Sequence, residues 1–79
     1  MIDVFERVRD IVADKIGVEL DEISMETSFA DDLEADSITL FELVMAIEDE
    51  FDIEIDDESI EQINTVGDIV NYLEETINN

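Results

Sequence analysis

Apolar residues recurring at helical spacing, in three separate segments, constrain this chain more than any other feature. Val4, Phe5, Val8, Ile11, Val12 and Ile16 share one face of a helix. Asp3 followed by Glu6 opens the segment like a capping box, and Gly17 stands where a left-handed residue closes a helix. The spacing predicts a helix over about 4–16. A second helix is expected after Asp36, a good N-cap, running from Ser37 to Glu50. A third opens on Thr65 with Asp68 three residues on. Val66, Ile69, Val70, Leu73 and Ile77 form its stripe, Tyr72 sits at the edge, and Thr76–Asn79 should fray.

The stretches between are less regular. Phe51-Asp52-Ile53-Glu54-Ile55-Asp56 alternates as a strand would. A strand needs a partner, and the only other alternation is Val18-Glu19-Leu20. An extended connector burying Phe51, Ile53 and Ile55 is therefore expected, followed by a short helix near 57–62 with Ile60 and Ile63 inward. Residues 18–36 are long for an irregular connection. They hold either a short helical turn or a loop anchored by Phe29 and Leu33. The expected architecture is all-α: a small four-helix bundle of three longer helices and one short one, with a long loop between the first two. With 79 residues there is material for one domain, spanning 1–79.

Residue types that are missing exclude whole classes of function. There is no Cys and no His. That removes disulfides, zinc–thiolate sites, a thiol nucleophile and the usual general base near neutral pH. A self-sufficient enzyme is not expected. No apolar run approaches the length of a membrane span, and no secretory signal opens the chain.

Charge supplies the next constraint. Net charge is −22, from 25 acidic residues and 3 basic ones. Arg7, Arg9 and Lys15 all fall in the first fifteen positions, and nothing after Lys15 is basic. Such a field repels nucleic acid and anionic membrane and favours basic protein surfaces. Calcium loops do not fit. Counting from Asp32, the sixth position is Ser37 where Gly is needed and the twelfth is Leu43 where Glu is needed. Counting from Asp52, the twelfth is Ile63. No specific metal site is expected, only loose divalent binding that stabilises the fold.

The second helix is apolar on two sides. Leu40, Leu43, Val44, Ile47 and Phe51 make one stripe, suited to a core. Ile38, Phe41 and Met45 make another on the opposite side, with Glu42, Glu48, Asp49 and Asp52 around it. An apolar stripe rimmed by carboxylates suits docking, with greasy contacts inside and charges that steer. Ser37 stands at the head of that helix, where free amides and the helix dipole favour a phosphate.

Asp36-Ser37-Ile38 resembles the Asp-Ser-Leu attachment motif of acyl carrier proteins. Phe29-Ala30-Asp31-Asp32-Leu33 before it and Glu42-Leu43-Val44-Met45-Ala46-Ile47-Glu48-Asp49-Glu50-Phe51 after it match as well. So do Glu6-Arg7-Val8, Ile16-Gly17-Val18 and Thr65-Val66, and the likeness covers nearly the whole chain. It implies a four-helix bundle whose motif serine, Ser37 beside Asp36, carries covalent 4′-phosphopantetheine taken from coenzyme A by a phosphopantetheinyl transferase (holo-acyl-carrier-protein synthase). The arm's thiol would hold acyl groups as thioesters for fatty acid biosynthesis enzymes with basic docking patches. Ile38, Phe41, Glu42, Met45, Glu48 and Asp49 match the family's recognition helix. Ile47, Ile60, Ile63 and Ile69 would line its acyl cleft. The carrier would be a cytoplasmic monomer that binds no nucleic acid and inserts in no membrane.

The chain departs from the family pattern at several places. Glu34 stands where Gly is frequent, Ile38 replaces Leu, Phe41 is larger than the usual aliphatic residue, and Leu40 replaces a polar one. Asp56 takes the place of a frequent Pro, and Ile60 is bulkier than the small residue often found beside the cleft. Carriers of polyketide, peptide or D-alanylation pathways share the serine motif and remain alternatives. An acidic module mimicking nucleic acid is a rival of another kind. It gives no reason for an apolar stripe beginning at a serine, and it predicts that Ser37→Ala changes nothing.

Overall fold

A computed structural model describes residues 3–78. Four α-helices follow one another: α1 Val4–Ile16, α2 Ser37–Phe51, α3 Asp57–Glu61 and α4 Val66–Asn78. A 3₁₀ turn at Leu20–Glu22 lies in the long connection between α1 and α2. There is no strand among the described residues, only one antiparallel bridge between Ser28 and Thr65.

Each helix begins where the sequence places a cap. The Asp3 carboxylate accepts from the Glu6 amide, Asp36 from Thr39, and Asp56 from Ser59. At the head of α4 the capping box closes both ways: Asp68 N–H donates to Thr65 Oγ1, and Thr65 N–H donates to Asp68 Oδ2. Gly17 ends α1 at φ +84°, a left-handed residue whose amide donates to Ala13.

α1 packs against both α2 and α4, and the core lies between the three. Val8 and Val12, Leu43, Val44 and Ile47, and Val66, Ile69 and Leu73 are wholly or almost wholly enclosed. Burying one such aliphatic side chain contributes about 1.5–3 kcal/mol, so this cluster dominates the stability of the fold. Ile23 and Phe29 seal it from the long loop, and Ile55, Ile60 and Ile63 seal it from the segments around α3.

Several boundaries differ from the pattern-based expectation. Phe51 completes α2 instead of starting the connector, and Asp52 then turns left-handed at φ +54°. Ile55 is buried as expected, whereas Phe51 and Ile53 are half-buried. α4 extends to Asn78, through most of the segment expected to fray, and Asn79 lies outside the described residues. Ile77 is exposed because the core ends at Leu73 and leaves the last turn nothing to pack on.

The long loop is ordered by both devices that its sequence allows, the 3₁₀ turn and the anchor Phe29 with half-buried Leu33. It also docks through its backbone. Val66 N–H donates to the Thr27 carbonyl at 2.9 Å, and Gly67 N–H donates to that of Met25 at 2.8 Å. Phe29 N–H reaches the Asn64 carbonyl at 3.0 Å. The loop therefore satisfies amides that a helix start leaves open. Thr27 is buried at the centre of this seam, where its Oγ1 accepts from the Ser24 amide at 2.8 Å.

Candidate functional site

Ser37 is the first residue of α2 and is exposed. Its neighbour Asp36 sets the helix: Thr39 N–H donates to Asp36 Oδ1 at 2.8 Å, and Leu40 N–H to the Asp36 carbonyl at 2.9 Å. The Thr39 amide, then the Thr39 side chain, hold the Asp36 carboxyl below its ordinary value of 3.8. The Ser37 and Ile38 amides have no backbone acceptor. At α4, by contrast, loop carbonyls occupy the first two amides of the helix. The head of α2 is thus open, and Ser37 Oγ makes no side-chain hydrogen bond among the described residues.

A cleft of about 430 Å³ adjoins the serine. Ser28 to Asp31, Ala35, Asp36, Ser37 and Leu40 wall one side, with Ile63 and Asn64 across from them. Turn chemistry in the loop shapes its rim: Ser28 N–H donates to Asp32 Oδ2, and Asp31 N–H to Ser28 Oγ. Of the four isoleucines expected at a cleft, only Ile63 lines this one. Ile47, Ile60 and Ile69 are buried in the closed core and line none of the described cavities.

The second stripe of α2 faces outward along its length. Ile38 is 70% exposed, Phe41 45% and Met45 61%, well above what a packed face would show. Glu42 and Asp49 are exposed beside them. Glu48 is placed differently. It is half-buried, and its carboxylate accepts from the Ile55 amide at 2.7 Å, which ties the connector to α2. An engaged carboxylate is less available to a partner than Glu42 or Asp49.

Sequence reasoning missed Ser28, Leu40 and Asn64 as walls of the cleft, because loop and helix residues meet there only through the Met25–Phe29 seam. It also missed Lys15. This residue lies in a groove between α1 and α2 with Glu42, Met45, Ala46, Asp49 and Glu50. It stands in the last turn of α1, where a cation also meets the helix dipole favourably.

An open serine at a helix head beside an exposed apolar line is what a covalently loaded carrier presents, and comparison with known proteins agrees. The family described as phosphopantetheine attachment site matches residues 6–73. The chain belongs to the acyl carrier protein family. An acyl carrier protein of Clostridium acetobutylicum is 57% identical over 70 residues, covering 89% of this chain and 91% of that one. The structure of the Enterococcus faecalis acyl carrier protein superposes with a TM-score of 0.74 at 42% identity, covering 87% of each chain. A Mycobacterium tuberculosis structure provisionally described as an acyl carrier protein superposes with a TM-score of 0.82 at 32% identity, covering 87% of this chain and 92% of that one.

Acyl carrier proteins are carriers rather than enzymes, and their prosthetic group is 4′-phosphopantetheine. The carrier role implies a transferase and synthesis enzymes as partners. No described helix is long and apolar enough to cross a membrane.

Proposed function

We propose that Ser37 is the attachment point of 4′-phosphopantetheine and that residues 1–79 work as one cytoplasmic carrier domain, non-catalytic itself, for acyl intermediates of fatty acid synthesis. The observation that carries this reading is the exposed Ser37 at the open head of α2, continuous with the exposed Ile38–Phe41–Met45 line.

The residues present suit the group. The Ser37 and Ile38 amides, which no backbone carbonyl occupies, and the helix dipole offer positive potential to a phosphodiester, and no side chain covers the hydroxyl. Asp36 Oδ1 is taken by the Thr39 amide, which fixes the carboxylate beside the serine at the head of the helix. The adjoining cleft offers Ser28 and Asn64 as polar partners and Phe29, Leu40 and Ile63 as apolar wall for whatever emerges from Ser37. When bound, the arm supplies the thiol on which an acyl group is held as a thioester.

Docking falls to α2. Ile38, Phe41 and Met45 make the apolar contacts, and Glu42 and Asp49 meet arginines and lysines of the transferase and of the synthesis enzymes. Glu48 contributes by holding the connector to α3 through Ile55.

The test is the intact mass of the protein before and after incubation with coenzyme A and a broad-specificity phosphopantetheinyl transferase, with Ser37→Ala alongside. A gain of one phosphopantetheine in the wild type only is expected. A gain that survives Ser37→Ala, or no gain with several transferases from unmodified protein, overturns the assignment.

A further inference from the structure

The three cations of this chain all sit on α1, and their surroundings differ. Arg7 donates to Glu50 Oε2 at 3.2 Å. The Arg9 guanidinium lies over the Phe5 ring, 5.6 Å from its centroid. Lys15 is exposed and makes no ion pair among the described residues. Yet it borders the open groove of about 760 Å³ between α1 and α2, whose other wall is Glu42, Met45, Ala46, Asp49 and Glu50. With Glu50 occupied by Arg7, the carboxylates left facing Lys15 are Glu42 and Asp49, two of those expected to receive a basic partner.

We propose that Lys15 is a resident positive charge inside the docking footprint, which weakens the binding of cationic partner surfaces and so speeds release of the carrier. This rests on the reading of α2 as the docking helix. An arriving arginine or lysine meets repulsion from Lys15 and competes with it for the same two carboxylates. Because Lys15 stands in a groove wide enough to admit water, its flexible side chain swings out instead of blocking the site. A shuttle gains from this arrangement: overall charge steers partners in from a distance, and the local cation keeps the docked complex short-lived. The chemical step is spared. Along α2 from Ser37, Glu42 lies about 8 Å away, Met45 about 12 Å and Asp49 about 18 Å, at 1.5 Å per residue, so even the near end of the groove is more than a turn from the reacting hydroxyl. Lys15 therefore influences association and not the serine.

The experiment compares Lys15→Gln, Lys15→Glu and Lys15→Arg as substrates of a phosphopantetheinyl transferase with coenzyme A, with KM and kcat taken separately at low and high salt. Arg9→Gln controls for net charge, because Arg9 lies outside the groove, and circular dichroism checks that every variant is folded. At low ionic strength Lys15→Gln should lower KM about threefold and Lys15→Glu about tenfold, with kcat unchanged and the differences shrinking as salt shortens the Debye length. Lys15→Arg should match the wild type. An unchanged or raised KM for Lys15→Gln, or an equal fall for Arg9→Gln, overturns the proposal. Glu42→Lys separates it from the docking reading: a raised KM there upholds α2 as the docking helix whatever Lys15 does, and a KM that neither change moves removes both.

Discussion

Among the described residues, Glu34 and Asp52 are the non-glycine residues held at positive φ, +52° and +54°. An L-residue with a Cβ pays for the left-handed region in steric energy, about 1–2 kcal/mol. Glu34→Gly should therefore raise the free energy of unfolding by about 0.5–1 kcal/mol after the extra freedom of glycine in the unfolded chain is deducted. Glu34→Gln removes the charge but keeps the strain, so denaturant midpoints of the two variants separate backbone from electrostatics. Gly67 is the opposite case. A Cβ there would stand 2.8 Å from the Met25 carbonyl oxygen, the same oxygen that accepts the Gly67 amide. Gly67→Ala should cost about 1–3 kcal/mol, because backbone has to move on both sides of the seam. Two of the capping aspartates set a pH dependence. Asp36 is held low by the Thr39 amide, and Asp68 by the Asn64 and Thr65 amides. A carboxyl lowered by folding stabilises fully above its unfolded value, here 3.8, and the contribution disappears as pH falls through the lower folded value. The gap in unfolding midpoint between wild type and Asp36→Asn/Asp68→Asn should hold at pH 6 and close below about pH 3.8. A gap that persists in acid would show that the caps do not act through charge.

α2 is the element on which stability and recognition are divided by face. Leu43, Val44 and Ile47 are enclosed, while Ile38, Phe41 and Met45 are open to solvent. Leu43→Ala should lose about 2–5 kcal/mol of stability through the cavity it leaves. Phe41→Ala should change stability by less than about 0.5 kcal/mol. Its effect should appear in docking, as a rise of about five- to tenfold in transferase KM, the range of an apolar anchor lost from an interface. Loss of stability without loss of docking would place Phe41 in the fold and not on the recognition surface. The heptad-like spacing of α2 shows both faces, since apolar residues on opposite sides cannot all point inward. It does not show that Glu48 also holds Ile55, because that bond joins a helix to a connector whose path the core determines.

At the scale of the molecule, the governing facts are a net charge of −22 and the confinement of every cation to α1. Among the described residues Arg7–Glu50 is the sole ion pair, so nearly all of the acidity is uncompensated. Raising ionic strength from about 0.01 to about 0.2 M shortens the Debye length from roughly 30 Å to under 10 Å. The thermal midpoint should climb by at least about 5 °C, since each kcal/mol of relieved repulsion corresponds to about 4–8 °C at this size. A midpoint indifferent to salt would mean that the carboxylates are too well spaced to strain the fold. The sequence by itself determined the helices, their caps and the serine at the head of α2, because each depends on spacing within a few residues: 3.6-residue periodicity, Asp36 before Ser37, Thr65 before Asp68. Only the tertiary structure decided the rest. The Met25–Phe29 seam that caps α4, the burial of Ile47, Ile60 and Ile69 against one another's helices, and the placing of Lys15 opposite Glu42 and Asp49 all join residues far apart in the chain. Such contacts depend on how several helices pack at once, and no local pattern records them.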